Sequence, residues 1–252
     1  MTITRQIEAR SILSKSGIDG ITYCVNPYVG CSHGCAYCYA SFMKRFTGHR
    51  EPWGSFVDVK VNAPQLLERQ TRRAGAGTII LSSVTDPYQP AEAGYRVTRG
   101  CLEVLRVRPL PVNILTKSPL VLRDLDLLRT FDNLSVGITI TTDNDAVRKV
   151  FEPGAPSIKA RIEALETLHK NGISTYAFIG PVLPMDPEVL AGKVRPHVDR
   201  VLIDGMNYPS KTKALYRRQM LDEWLDGVFV DGVIERLTHA FGSRDVECCV
   251  TT

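Results

Sequence analysis

The chain has 252 residues, 44% of them hydrophobic, with 31 Lys and Arg against 27 Asp and Glu. That length suits one sizeable core, and a formal net charge of +4 permits an anionic ligand while falling short of a dedicated nucleic-acid binder. Seven clustered cysteines argue against a disulfide scaffold and for metal binding in a reducing, cytoplasmic setting, and the absence of a leader-like start or a bilayer-length apolar run predicts no membrane partner.

Short apolar runs alternate with helical patterns. In chain order the predicted strands are 21–25, 78–84, 112–116, 134–142, 175–182 and 200–204. Most are near-continuous apolar runs bounded by turn residues, as buried parallel strands are. The predicted helices between them are 63–73, 98–107, 120–130, 157–171 and 187–198. Asn62 and Asp186 stand as N-caps, each followed by a proline in the first turn, and Asn171-Gly172 is a helix stop. Six strand–helix units in series predict an α/β fold, a partial (βα)6 barrel with parallel strands, with an open doubly wound sheet as the rival. Either puts functional groups at the carboxyl ends of the strands. Residues 1–210 are assigned to the barrel. Residues 211–252 are assigned to a C-terminal helical extension, with helical runs at 211–225 and 228–241 and a cysteine-containing tail.

The most informative stretch is Asn26-Pro-Tyr-Val-Gly-Cys31-Ser-His-Gly-Cys35-Ala-Tyr37-Cys38-Tyr-Ala40. A loop with this spacing can wrap three thiolates around one iron–sulfur cube and leave one iron open to a ligand. Zinc would need a fourth ligand from His33, Cys24 or His49. The position of the loop, after the first predicted strand and before a βα series, favours the cube.

This string resembles the cysteine signature of the radical SAM superfamily. Together with Ser82-Ser-Val-Thr-Asp86-Pro-Tyr-Gln-Pro90 it is similar to the spore photoproduct lyase-like branch, over roughly residues 20–208. The resemblance implies a 4Fe-4S cluster on Cys31, Cys35 and Cys38, with S-adenosyl-L-methionine on the open iron. It implies reductive cleavage to a 5′-deoxyadenosyl radical that abstracts hydrogen from a nucleobase- or nucleoside-type substrate, free or within DNA. An electron donor such as flavodoxin or ferredoxin follows. Tyr37 resembles the aromatic whose backbone meets adenine; Ser82, Ser83 and Thr85 the segment at the methionine amino group. Lys117 is placed to pair with the methionine carboxylate, Thr139 and Thr141 with ribose hydroxyls. Ile179 and Val182, beside Gly180, resemble an apolar patch against adenine, and Asn207 completes the pocket.

Each of these has a plainer reading. Thr is a good strand former, Lys117 an ordinary helix-entry residue, Gly180-Pro181 a bend. Tyr88 and Tyr95 are candidates to stack on a ring or relay a hydrogen atom, with a proline-rich turn held by Asp86 as the alternative. Arg96 and Arg99 are phosphate candidates, with a solvated helix start as the alternative. His33 is expected to support the loop rather than ligate. The branch's hydrogen-donating cysteine has no counterpart at Ser83-Val84-Thr85-Asp86, which leaves Cys248 and Cys249 as candidate donors or as a disordered tail. Two rival functions stay open. One is sulfur insertion into, or rearrangement of, a small nucleoside, using that tail dithiol or a second cluster with Cys24 or Cys101. The other is a non-catalytic zinc-binding nucleic-acid module.

Overall fold

The structure, a computed structural model, describes residues 2–242 and 245–249. The chain opens with β1 (Ile3–Ile7), β2 (Leu13–Lys15), β3 (Tyr23–Val25) and β4 (Tyr28–Val29), then a 3₁₀ helix at Tyr39–Phe46. Next come β5 (Phe56–Lys60), α1 (Ala63–Thr71), β6 (Ile79–Leu81), α2 (Glu92–Tyr95), α3 (Val97–Arg106) and β7 (Val112–Thr116). Then follow α4 (Leu125–Leu128), β8 (Leu134–Thr139), α5 (Asp145–Phe151), α6 (Ile158–Lys170) and β9 (Ser174–Ile179). The chain finishes with α7 (Pro187–Val194), β10 (Arg200–Asp204), α8 (Pro209–Arg218), α9 (Gly227–Phe241) and β11 (Asp245–Cys249).

The main sheet runs β11-β10-β9-β8-β7-β6-β3-β2, parallel throughout except that β2 is antiparallel to β3. The expected α/β partial barrel is therefore present, with all six expected strands in sequential order. The tail departs from expectation. Asp245–Cys249 forms a further parallel strand on β10, so that Cys248 lies in register with Ile203 and Cys249 with Asp204. The extension thus supplies two helices and also lengthens the sheet. A second sheet, β1-β5-β4, was not anticipated. No helix among the described residues is long and apolar enough to cross a membrane.

Strand alternation sorts side chains between the lumen and the helix layer. On β9, Thr175, Ala177 and Ile179 are buried in one set, while Tyr176 and Phe178 form the other. Tyr176 lies across Gly137 of β8, where any Cβ would sit 2.1 Å from the ring, and donates to Asn113 Oδ1 of β7 at 2.6 Å. This side chain packs across the lumen toward the amino-terminal ends of the strands.

Local signals explain most boundaries. Ser157 and Asp186 cap α6 and α7 by accepting from Ala160 N and Val189 N. Asn62 does not cap α1; its amide instead pairs both ways with the Ala9 backbone at 2.9 Å, fastening the N-terminal segment. The predicted helix at 120–130 is a 3₁₀ turn, Pro119–Asp124, followed by α4. The strand β6 ends early because Ser82 takes a left-handed φ of 68°, which breaks the extended run.

Candidate active site at the carboxyl ends of the strands

The cysteine loop leaves β4 and is braced by the segment that follows β6. Thr85 Oγ1 and Gln89 Nε2 both donate to the Gly30 carbonyl, at 2.6 and 3.3 Å, and Gln89 Oε1 accepts from Ser32 N at 3.0 Å. Asp86 Oδ1 accepts from Thr116 Oγ1 and Tyr88 N, and its Oδ2 accepts from Lys117 N and lies 3.4 Å from His33 Nδ1. Burial pushes the Asp86 carboxyl up. His33 beside it and the Thr116 and Lys117 hydrogen bonds outweigh that and hold it at about 2. On the far side the loop leans on the segment after α5: Ala36 N donates to Phe151 O at 2.8 Å and Gly154 N to His33 O at 3.0 Å. A Cβ on Gly154 would sit 2.2 Å from the Ser32 carbonyl oxygen, so only glycine allows this approach.

A buried charge cluster lies under the loop. Glu152 and Arg161 are fully buried and paired. Arg161 also donates to Thr139 O at 3.1 Å and Pro156 O at 3.0 Å. Tyr37 Oη donates to the same Glu152 carboxylate, and Lys117 Nζ approaches it to 3.8 Å while lying 5.7 Å from the Tyr37 ring centre. Burial works against the charged forms, yet Arg161 and Lys117 hold the Glu152 carboxyl below its ordinary value. The Cys35 thiol is pushed up to about 12 by burial, with Lys117 pulling the other way. Cys31 is pushed up as well, by burial and then by Asp86. Such thiols keep their protons until a metal cation replaces them.

All three loop cysteines line one cavity of about 250 Å³. Opposite them stand the strand ends: Ser82–Asp86 after β6, Leu115–Lys117 of β7, Thr139 of β8, Phe178 and the cis Gly180–Pro181 of β9, and Asp204–Tyr208 of β10. Three buried polar atoms facing this space lack a protein partner: His33 Nε2, Ser82 Oγ and Asp204 Oδ1. Buried polar atoms are ordinarily satisfied. Three thiols on one wall with His33 among them, and Ser82 and Asp204 on the strand ends opposite, fit a thiolate-held cluster with a polar, partly charged ligand beside it.

Of the residues singled out from the sequence, Tyr37, Ser82, Ser83, Thr85, Lys117, Thr139 and Asn207 line the cavity with Cys31, Cys35 and Cys38. Ile179 and Val182 do not. They are buried, and the alternation of β9 turns Phe178 and Gly180 to the lumen instead. Thr141 is buried away from the cavity wall, and so is Tyr88, under the Arg123 guanidinium at 6.0 Å. Arg99 is spent on Asp124 and Asp126. Cys248 is exposed with its Sγ 3.7 Å from Thr238 Oγ1 of α9, on the outer helix layer. The side chain of Cys249 lies outside the described residues. Cys24 and Cys101 are buried on β3 and α3, on elements separate from β11. Sequence reasoning missed Glu152, Arg161 and Asp204. Asp204 had a usable signal, since it ends a predicted strand; the other two are single charges in or near helices.

The radical SAM superfamily model matches residues 25–190. An uncharacterized protein of Methanocaldococcus jannaschii is 39% identical over 204 residues, 80% of this chain and 77% of that one. The radical SAM Nα-GlyT isomerase of Pseudomonas phage M6 is 30% identical over 162 residues, 63% of this chain and 32% of that protein. The chain spans half the length of its Mycobacterium tuberculosis relatives. Among solved structures, spore photoproduct lyase complexed with dinucleoside spore photoproduct superposes with a TM-score of 0.73 at 13% identity, covering 99% of this chain and 82% of that one.

Proposed function

This chain belongs to the radical SAM superfamily, whose cofactors are a 4Fe-4S cluster and S-adenosylmethionine, and from that premise we propose that it acts on a nucleobase- or nucleoside-type substrate, with Cys31, Cys35 and Cys38 holding the cluster. The family match sets aside the zinc-module alternative. The single observation that carries the ligand assignment is that these three thiols, and no other cysteine among the described residues, line the cavity at the strand ends. The substrate reading draws support from the dinucleoside in the spore photoproduct lyase complex and from two tyrosines, Tyr39 and Tyr208, at the cavity rim.

When bound, the two cofactors together supply a carbon-centred radical that takes hydrogen from the substrate. The chain's own residues bind, orient and shield. Lys117, which lines the cavity beside the cysteine loop, is the cation available to pair with a carboxylate on the ligand. Ser82 and Asp204 offer an acceptor and donor set to the polar part of that ligand. Leu115, Phe178 and Pro181 exclude water from one side.

A second reading, rearrangement rather than lyase chemistry, fits the position of Cys248 on the outer layer, which sets aside one of the two candidate hydrogen donors. A rearrangement returns the hydrogen it took and needs no separate thiol donor. The name of the phage relative, an isomerase, points the same way.

The test is reconstitution under strictly anaerobic conditions. About four irons and four sulfides per chain, formation of 5′-deoxyadenosine with dithionite, and deuterium exchange between the 5′ carbon and one of a panel of nucleosides and oligonucleotides are expected. The Cys35→Ala variant should hold no cluster. A colourless zinc protein, or full iron in Cys35→Ala, overturns the assignment. A product that keeps every atom of the substrate in one rearranged molecule selects rearrangement; separation of the substrate into two unlinked bases or fragments selects the lyase reading.

A further inference from the structure

Four aromatic rings stand exposed next to the cavity. Tyr39, Phe42 and Phe46 project from the 3₁₀ helix that follows the cysteine loop, and Tyr208 precedes α8; they are 41%, 41%, 68% and 47% exposed. Side chains three apart eclipse one another on a 3₁₀ helix, which puts Tyr39, Phe42 and Arg45 in one row. The rings touch in series. Tyr208 and Tyr39 are 6.5 Å apart and within 19° of parallel, Tyr39 and Phe42 are 6.5 Å apart, and Phe42 and Phe46 are 6.4 Å apart. Tyr39 and Tyr208 also line the cavity, so the row begins at its mouth and runs outward. Contiguous exposed apolar rings of this kind mark a binding surface more often than a bare exterior.

Cations are interleaved with the rings. Arg45 lies 5.3 Å from the Phe42 ring centre and 4.8 Å from that of Phe46, and Lys211 lies 5.5 Å from that of Tyr208. Residues 39–50 contain three Lys and Arg, residues 209–218 contain four, and neither segment contains an Asp or Glu. Because the whole chain carries only +4, everything outside these two segments sums to −3. The two segments that carry or adjoin the rings therefore hold more than the whole net positive charge of the protein, with Arg45 and Lys211 on the rings themselves and Arg217 near Asp222 at 3.8 Å.

We propose that this face is a docking track for single-stranded nucleic acid, whose bases stack on the Tyr208–Tyr39–Phe42–Phe46 row and whose phosphates meet the flanking cations, delivering one nucleotide to the cavity. The proposal rests on the nucleoside reading of the substrate. The charge alone would also suit an acidic electron-donor protein. Four rings in mutual contact, with guanidinium and ammonium groups seated on their faces, match the alternation of base and phosphate along a single strand. An acidic protein surface matches only the second half of that pattern.

The experiment uses the full-length, cluster-loaded protein and a fluorescein-labelled oligothymidine of about 12 nucleotides, read by anisotropy across a salt series. Binding is expected. The Phe42→Ala and Phe46→Ala variants should each weaken it about fivefold or more, as loss of base stacking does, with the salt slope unchanged. The triple variant Lys213→Ala, Arg217→Ala and Arg218→Ala should reduce the slope of log K against log salt by about 2. An abasic strand of equal length should bind more weakly and be indifferent to Phe46→Ala, the substitution at the most exposed ring. Wild-type iron content and melting temperature in each variant separate lost contacts from lost folding. No binding of the oligonucleotide overturns the proposal. So does a polyglutamate chain that binds as tightly with the same dependence on Phe42 and Phe46, which would assign the face to an acidic protein. Exchange of deuterium into free nucleosides without oligonucleotide binding sinks the track and keeps the substrate reading. Ring-dependent oligonucleotide binding without exchange into any nucleoside or oligonucleotide keeps the track as a binding surface and sinks the substrate reading.

Discussion

The substitution Glu152→Gln tests whether the charge cluster beneath the cysteine loop is held together as charges. Glu152 and Arg161 are both fully buried, and the Lys117 ammonium is 3.8 Å from the same carboxylate. Replacing the carboxylate by an amide of equal size keeps the shape and one acceptor but leaves two cations facing no anion. Breaking a buried pair in this way costs about 3–5 kcal/mol. In a domain of this size each kcal/mol lowers the melting temperature by about 2–4 °C, so a fall of about 6–20 °C is expected at neutral pH. The sign of the pH dependence follows from the depressed carboxyl. Its stabilisation is fully present above the ordinary value of 4.5 and is lost as pH falls through the lower folded value. Wild type and Glu152→Gln should therefore differ most near pH 7 and converge in acid. Scanning calorimetry of the metal-free protein reads this directly. The double variant Glu152→Gln, Arg161→Met should recover part of the loss, because a neutral pair is better tolerated than a broken one. A melting temperature for Glu152→Gln within about 1 °C of wild type would refute the reasoning.

Four further outcomes are expected. Asp86 is held at about 2 against an ordinary 3.8, so it contributes about 2 kcal/mol that is present above about pH 4 and fades toward pH 2; urea unfolding of Asp86→Asn should lose that acid limb, and an unchanged limb would exclude the bracing role. In Gly154→Val the new side chain meets the Ser32 and His33 carbonyls, so the loop must shift, and iron bound per chain should drop in a colorimetric assay. Gly137→Ala forces Tyr176 off its seat at 2.1 Å and should cost about 1–3 kcal/mol by overpacking, seen in thermal unfolding with cluster content preserved. Cys248→Ser, at an exposed position beside Thr238, should change stability by no more than about 0.5 kcal/mol and leave iron content and product formation at wild-type levels.

The barrel was legible in sequence because parallel strands buried on both faces read as apolar runs, and Val112–Thr116 and Arg200–Asp204 fall where the pattern put them. The same property hid the facing of individual residues. A continuous apolar run carries no alternation to check a resemblance against, so Ile179 was expected against adenine although the register turns Phe178 inward. Asp245–Cys249 carries two acids and is exposed at Asp245, Glu247 and Cys248, so its strand state depends on pairing with β10 rather than on its own pattern. Glu152 and Arg161 were invisible for a related reason. A carboxylate and a guanidinium nine positions apart look like ordinary surface charges until α5 and α6 fold the loop of Cys35 over them. In the Asp86-Pro-Tyr-Gln89 segment the structure favours the turn held by Asp86 over a ring-stacking Tyr88, with Asp86 and Gln89 fastening the cysteine loop from behind.

These placements divide the molecule by energetic role. At the amino end of the lumen Tyr176 is packed over Gly137 and hydrogen-bonded to Asn113, a closed and satisfied arrangement. At the carboxyl end Cys31 and Cys35 are pushed toward the neutral thiol by burial, Ser82 holds a left-handed backbone, and three buried polar atoms stand unpartnered. The left-handed serine costs about 1–3 kcal/mol. A ligand that ionises the thiols and hydrogen-bonds to these groups stabilises this end of the lumen. Cofactor loading and folding stability are then one linked equilibrium. Variants that loosen the braces at Asp86, Gln89 or Gly154 must lower cluster affinity and melting temperature together, whereas variants at the Tyr176 floor lower only the second.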